Sequence, residues 1–207
     1  MFYARRTVTK ASPDRLDTAI KVIQDQIIPA AQRIPGFMGG YWLADRATGD
    51  GVGFTFFDTK EALETSRAAA DQIRTDAAQA IGAEVVSVDH FEVLANTGEK
   101  VHETATHARV AEAGGSGDQV ETAARRMKEN VIPAVRQLPG FQGGFWLIDR
   151  DSNQATGVTL FDSASSLEAS LAASEKIRSA SNEAGAMVGE FRHYEIIARA
   201  LTPARST

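Results

Sequence analysis

His90 and Glu92 stand two residues apart in His-Phe-Glu, and the spacing returns as His193 and Glu195 in His-Tyr-Glu. On an extended strand residues i and i+2 share a face, so imidazole and carboxylate become neighbours. A carboxylate beside a histidine raises its pKa and can prepare a general base at His90 or His193. The same pair can supply two metal ligands. A catalytic metal usually takes three from the protein, and with no cysteine the third would have to be Asp, Glu or another His. A satisfied strand or interface pair is the alternative.

A second constellation is Asp45-Arg46, matched by Asp149-Arg150. Arg46 or Arg150 can hold a phenolate, enolate or carboxylate while the aspartate accepts a proton. Adjacent strand residues point to opposite faces, so a turn aspartate beside a solvated or ion-paired arginine fits equally. Trp42 and Trp146 are the only tryptophans and occupy matching positions. Each indole can stack on a flat ligand and offer its N–H, or simply fill a core beneath a helix. Arg74 and Arg178 also match; they can face a pocket or be solvated. Tyr3, Tyr41 and Tyr194 can each donate a proton, although Phe145 and Phe91 replace the latter two in the other half.

The elements that must carry these residues are written twice. Pro35-Gly-Phe-Met-Gly-Gly-Tyr-Trp-Leu-Ala-Asp-Arg46 returns, displaced by 104 positions, as Pro139-Gly-Phe-Gln-Gly-Gly-Phe-Trp-Leu-Ile-Asp-Arg150. Two copies are too few for a solenoid and predict two similar domains packed on each other, one chain imitating a symmetric dimer. The expected domains are residues 1–95 and 101–199, with 95–100 as linker, 113–117 as a flexible loop and 200–207 as a tail.

Each half reads strand–helix–strand–strand–helix–strand. The first half predicts strand 2–9 and a helix to about residue 33 that Ser12 caps and Pro29 kinks or ends. Strands 37–46 and 51–57 follow, then a helix to about 80 opened by an Asp58–Glu61 capping box and stopped by Gly82, and strand 85–94. The second half predicts strand 102–112, helix 118–137, strands 141–150 and 155–161, helix 163–183 and strand 187–198. The Gly39-Gly40 and Gly143-Gly144 pairs inside a strand permit a bulge or the close approach of a backbone or ligand. A βαββαβ order makes an α+β, ferredoxin-like sheet with both helices on one face. Apolar residues on both strand faces, such as Tyr41 and Leu43 against Met38 and Trp42, predict two sheets packed face to face as an intramolecular α+β barrel.

With the Pro-Gly-Phe-x-Gly strand, the hairpin and the stretch Phe57-Asp-Thr-Lys-Glu-Ala-Leu-Glu64, each half resembles the dimeric α+β barrel superfamily, and within it the antibiotic biosynthesis monooxygenase-like family. The resemblance implies the barrel. Its members include cofactor-free oxygenases of aromatic polyketides, haem-degrading oxygenases, small isomerases and proteins with no known reaction. Phe57 and Phe161 stand where many members carry Trp, and join Trp42, Trp146, Tyr41 and Phe145 as expected ligand-binding residues. Ser66 and Ser170 stand where members carry a His that ligates iron in the haem-degrading branch, so haem degradation is not expected.

Composition narrows the partners. Net charge is −5 with scattered Lys and Arg, which disfavours nucleic acid and anionic membranes. Cysteine is absent, excluding disulfides, thiolate nucleophiles and Cys-based metal sites. The N-terminal stretch lacks the apolar core of a signal peptide, and no apolar run approaches the roughly 20 residues of a membrane span, so a cytoplasmic location is expected. No Ser-His-Asp signature, phosphate loop or dinucleotide fingerprint is present, and no cofactor is expected. The functional expectation is a pocket per half for a small aromatic or apolar molecule. As an enzyme the chain would be a cofactor-independent monooxygenase of an electron-rich aromatic, with Trp42 or Trp146 stacking the ring, Arg46 or Arg150 holding the anion and His90 or His193 taking the proton. The alternatives are a non-catalytic ligand-binding or stress-related barrel, and haem binding through His90 or His193 without degradation. A pseudo-dimeric monomer or a higher homo-oligomer is expected.

Overall fold

A computed structural model of the chain describes residues 2–97, 103–114 and 120–201. Its elements follow the duplicated order. In the first half, β1 (Tyr3–Lys10) precedes a helix made of α1 (Leu16–Val22), a π-helical turn (Ile23–Ile27) and α2 (Ile28–Ala31). Then come β2 (Phe37–Ala44), β3 (Asp50–Phe57), α3 (Lys60–Thr65), α4 (Arg67–Ile81) and β4 (Glu84–Asn96). The second half has β5 (His107–Gly114), α5 (Val120–Arg126), a π-helical turn (Met127–Val131) and α6 (Ile132–Val135). It ends with β6 (Phe141–Asp149), β7 (Gln154–Phe161), α7 (Ala164–Ala169), α8 (Leu171–Glu183) and β8 (Met187–Leu201).

The strands are hydrogen-bonded in the order β1-β3-β2-β8-β5-β7-β6-β4 and close into a barrel. The expected ferredoxin-like orders, β4-β1-β3-β2 and β8-β5-β7-β6, are both contained in it. By contacts the chain forms two compact units. One holds the described residues up to Phe91 together with those from Glu195; the other holds those between Glu92 and Tyr194. The long strands β4 and β8 each change unit part-way, so the last residues of each pair with β6 and β2 respectively. The repeat is a unit of sequence and the contact unit is a unit of packing, and the two divisions differ at these strands.

Several local expectations change in detail. The first helix does not end or break at Pro29. The proline ring would clash with the carbonyl four residues back, Asp25, and that residue lies in the π turn, where the Ile28 N–H reaches back five residues to Ile23. Pro133 is treated the same way by the turn Met127–Val131. Ser12 does not cap this helix; its hydroxyl bonds the Asp14 carboxylate instead. The cap of α3 is Thr59, whose Oγ1 accepts from the Ala62 N–H at 3.0 Å, so the expected Asp58–Glu61 box is absent. Ser163 caps α7 in the same manner at 3.2 Å. Gly82 terminates α4 with φ of 76°, as expected of a left-handed glycine cap. The expected bulge is present between Phe37 and Gly39 and again between Phe141 and Gly143. It breaks the simple alternation, leaving Met38 exposed while Trp42 is buried.

Of the expected linker, residues 95 and 96 continue β4, and the Thr97 N–H donates to the Gly144 carbonyl at 3.0 Å. Residues 98–100 lie outside the described residues, as do 115–117 of the expected loop and the starts of the second-half strand at 102 and helix at 118. Of the expected tail, residues 200 and 201 continue β8, and 202–207 lie outside the described residues.

Two candidate cavities, each walled by a tryptophan and a buried arginine

In each unit the helices cover one face of the sheet, and a cavity lies between them. The cavity of the first unit measures about 150 Å³ and is lined by residues including Arg5, Trp42, Phe57, Ala70 and Arg74. That of the second measures about 450 Å³ and is lined by residues including Arg109, Trp146, Arg178 and Phe191. Both walls are mainly apolar with few polar groups, the usual constitution of a small-molecule site.

The tryptophans are placed by the bulged strand and by its glycines. A Cβ on Gly40 would sit 2.8 Å from the Phe54 carbonyl and 2.9 Å from Cη2 of Trp42, and one on Gly53 would sit 3.3 Å from Cδ1. Gly144 and Gly157 stand in the same relation to Trp146, at 3.0 Å each. Bare backbone is therefore the floor on which the indole lies, the close approach that the Gly-Gly pairs permit. Residues of the π turns join the same apolar clusters as the indoles: Ile23 is in the cluster of Trp42 with Ile27 packed against it, and Met127 and Val131 pack against the cluster of Trp146. Each tryptophan is core and cavity wall at once.

The residue that organises each cavity escaped the sequence reading. Arg5 and Arg109, displaced by 104 positions on the first strand of each half, are both only 3% exposed. Arg5 donates from Nε to Nε2 of His90 (3.2 Å) and from Nη2 to the Leu63 carbonyl (2.8 Å) and the Ser66 hydroxyl (2.9 Å). Arg109 donates from Nε to Nε2 of His193 (3.1 Å), from Nη1 to Ser170 (3.0 Å) and to Ser174, and from Nη2 to the Leu167 carbonyl (2.7 Å). Among the described residues neither guanidinium bonds a carboxylate. Aromatic faces take that place, Phe57 at 5.2 Å from Arg5, and Phe161 and Phe191 at 5.1 Å each from Arg109. Burial, then the nearby charges of Arg74 and Arg67, pulls the Arg5 pKa down to about 10, which leaves it charged at neutral pH. Arg109 is likewise pulled to about 10 by burial, here opposed by Glu175 and Glu168. Ser66 and Ser170, singled out because they replace a histidine, hold these arginines.

His90 and His193 therefore sit one hydrogen bond behind the cavity wall. Nε2 of each accepts from the arginine, which places the proton on Nδ1. The expectation that a carboxylate raises their pKa is corrected. Both are lowered, first by burial and then, for His90, by Arg5, Arg67 and Arg74 and, for His193, by Arg109. The carboxylates two residues on are spent elsewhere: Glu92 binds Arg150 at 2.7 and 3.1 Å, and Glu195 binds Arg46. Arg46 and Arg150 thus stand in exposed ion pairs, Arg150 also reaching Glu121 at 2.9 Å, and do not line the cavities of their units. Asp45 and Asp149 shape the turns that follow, accepting from the backbone N–H of Ala47 (2.8 Å) and Asp151 (3.0 Å). Tyr41 and Phe145 are buried but outside the two cavities, Tyr41 edge-on to Phe56. Phe57 lines the first cavity, and Phe161 packs with Trp146 beneath Arg109. Arg74 and Arg178 do face the cavities, each ion-paired along its helix, with Asp71 and Glu175. Among the described residues no group of three or more His, Cys, Asp or Glu could hold a metal ion, and no helix is long and apolar enough to cross a membrane.

No family model matches the chain. Among solved structures it is similar to an anthrone oxidase-like protein, with a TM-score of 0.66 at 14% identity over 99% of this chain and 94% of that one. It is also similar to a ferredoxin-fold protein of Listeria monocytogenes related to antibiotic biosynthesis monooxygenases (TM-score 0.51, 10% identity, 95% of each chain). These likenesses show the ferredoxin-like α+β barrel fold expected from the sequence. Among curated proteins it is 27% identical to the uncharacterized protein Rv2558 of Mycobacterium tuberculosis over 94% of this chain and 83% of that protein. It is 31% identical to the uncharacterized protein Rv2557 of the same organism, over 88% of this chain and 82% of the relative. Sharing that identity along most of both chains, the chain belongs to the family of Rv2557.

Proposed function

We propose that the protein binds small, largely apolar aromatic molecules in the helix-side cavities. The observation that carries this is the repeated wall: an indole over glycine and a buried guanidinium that bonds no carboxylate among the described residues, both facing apolar space. Stacking on the indole orients a flat ring, and the cation favours a ligand oxygen that carries negative charge. Titration of the protein with 2-naphthol, followed by tryptophan fluorescence, tests it. Saturable quenching that Trp146→Phe weakens is expected, and a signal that never saturates overturns the reading.

A second reading is a cofactor-independent monooxygenase, supported by the fold and by the pairing of an arginine with an indole at an apolar wall. The substrate carbanion or phenolate would itself reduce dioxygen, a ring CH2 becoming C=O as one oxygen atom enters the product and the other leaves as water. Arg5 or Arg109 would stabilise the substrate anion. Deprotonation by His90 or His193 requires the imidazole first to give up its hydrogen bond from that arginine. Substrate-dependent oxygen uptake at one O2 per product is the test. Binding without uptake leaves the non-catalytic function. Haem ligation through Nε2 of either histidine would have to displace the same arginine bond, and a Soret band that stays at the position of free haem when the protein is added would dismiss it.

A further inference from the structure

The two arginines spend their donors differently. Arg5 uses Nε and Nη2, and its Nη1 has no hydrogen-bond partner among the described residues. Arg109 gives both N–H groups of Nη1 to Ser170 and Ser174. The position matching Ser174 in the first half is Ala70, which lines the same cavity as Arg5 and can accept nothing. A second difference lies on the last strand, where Phe191 closes over Arg109 and its counterpart is the small Val88. A third lies at the start of the second long helix, where Arg67 is matched by Leu171. Arg5 has Arg74 and Arg67 as its electrostatic neighbours, whereas Arg109 has Glu175 and Glu168.

On the footing that both cavities take ligands as proposed above, we infer that they divide ligands by charge and size. The first cavity is a site for a single-ring aromatic oxyanion, a benzoate or phenolate, held by Nη1 of Arg5 with Arg74 beside it. The second takes a larger, uncharged ring system. The volumes agree: about 150 Å³ is the size of an apolar cavity that accepts benzene, whereas about 450 Å³ admits fused rings. An unspent pair of guanidinium N–H groups on an apolar wall is favourable only when an acceptor completes it, and a carboxylate or phenolate is the acceptor that matches its charge. The aspartate that pairs with Arg74, Asp71, is itself largely exposed, so solvent screens it.

Calorimetric titration of the full chain with benzoate, with its neutral isostere benzamide and with 2-naphthylmethanol tests this. Benzoate is expected to bind at one site at least tenfold more tightly than benzamide. Ala70→Ser supplies the missing acceptor and should erase that preference while leaving 2-naphthylmethanol binding unchanged. Ser174→Ala frees a donor on Arg109 and should add a second, weaker benzoate site. Arg74→Gln, which does not alter the buried network, should also weaken benzoate by about tenfold. Equal affinity for benzoate and benzamide, or an unchanged ratio in both Ala70→Ser and Arg74→Gln, overturns the inference while leaving cavity binding intact. Failure of all three probes to bind overturns the cavity reading itself.

Discussion

The first unit holds its buried arginine with three hydrogen bonds and one aromatic face, the second with four and two. The backbone that presents the two guanidinium groups is the same, down to the π turn and the bulge. What differs is a handful of side chains around each: Ala70 for Ser174, Val88 for Phe191, Arg67 for Leu171. Duplication preserved the frame, and these few positions turned one arginine into a structural strut that spends four of its five N–H groups and left the other with both N–H groups of Nη1 to offer. A repeated residue can thus hold identical rank in the sequence and different chemical availability in the fold.

The largest expected effect that bears on this contrast is on stability. Arg109→Met should destabilise the chain by about 3 kcal/mol and Arg5→Met by about 2 kcal/mol, since hydrogen bonds from a charged donor contribute about 1.5–3 kcal/mol and Arg109 makes more of them. Urea denaturation of both variants measures the difference, and equal losses would break the distinction between strut and site.

Next comes pH. Both histidines are neutral in the fold, with pKa values below the ordinary 6.5. As pH falls through 6.5 the unfolded chain takes up protons that the folded chain refuses, so stability declines from there down to the folded-state pKa and no further. Thermal unfolding between pH 7.5 and 5 should show this decline. His90→Asn should remove more of it than His193→Asn, because Arg5, Arg67 and Arg74 press on His90 and only Arg109 presses on His193, with one carboxylate relieving each, Asp89 and Glu168 respectively. An equal change from the two variants would contradict the electrostatic contrast.

A smaller effect is expected at the indole floor. A Cβ at Gly157 lies 3.0 Å from Trp146, and one at Gly53 lies 3.3 Å from Trp42. Gly157→Ala should therefore shift its tryptophan and weaken ligand quenching more than Gly53→Ala, each by a few-fold. The smallest effect belongs to the exposed ion pairs. Arg46→Ala and Arg150→Ala should leave ligand affinity unchanged and move Tm less than any variant above, because solvent-exposed pairs contribute little. A tenfold loss of affinity in either would return these arginines to the site.

The tryptophans, the second-helix arginines and the Gly-Gly pairs were legible as candidates because they recur in unusual residue types on a readable strand or helix. Arg5 was not. Arg5 stands next to Arg6 in an eight-residue strand, where adjacent charged residues read as solvated, and only the match of Arg5 at Arg109 sets it apart. The histidines were seen, but their partner was misjudged. Sharing a face with a carboxylate two residues away says nothing about a closer acceptor or donor on a neighbouring strand, and Arg150 and Arg46 had already claimed those carboxylates.

The sequence by itself determined the duplication, the βαββαβ order of each half, the ferredoxin-like pairing and the chemical identities at each matched position. These follow from local periodicity, turn residues and repetition, which neighbouring residues set together. Tertiary structure alone decided which arginine is buried, which nitrogen of it remains unspent, and how the long strands pass between compact units. Those depend on residues 58 to 85 positions apart meeting in one place, and on single-atom differences in what they meet, which no local pattern encodes.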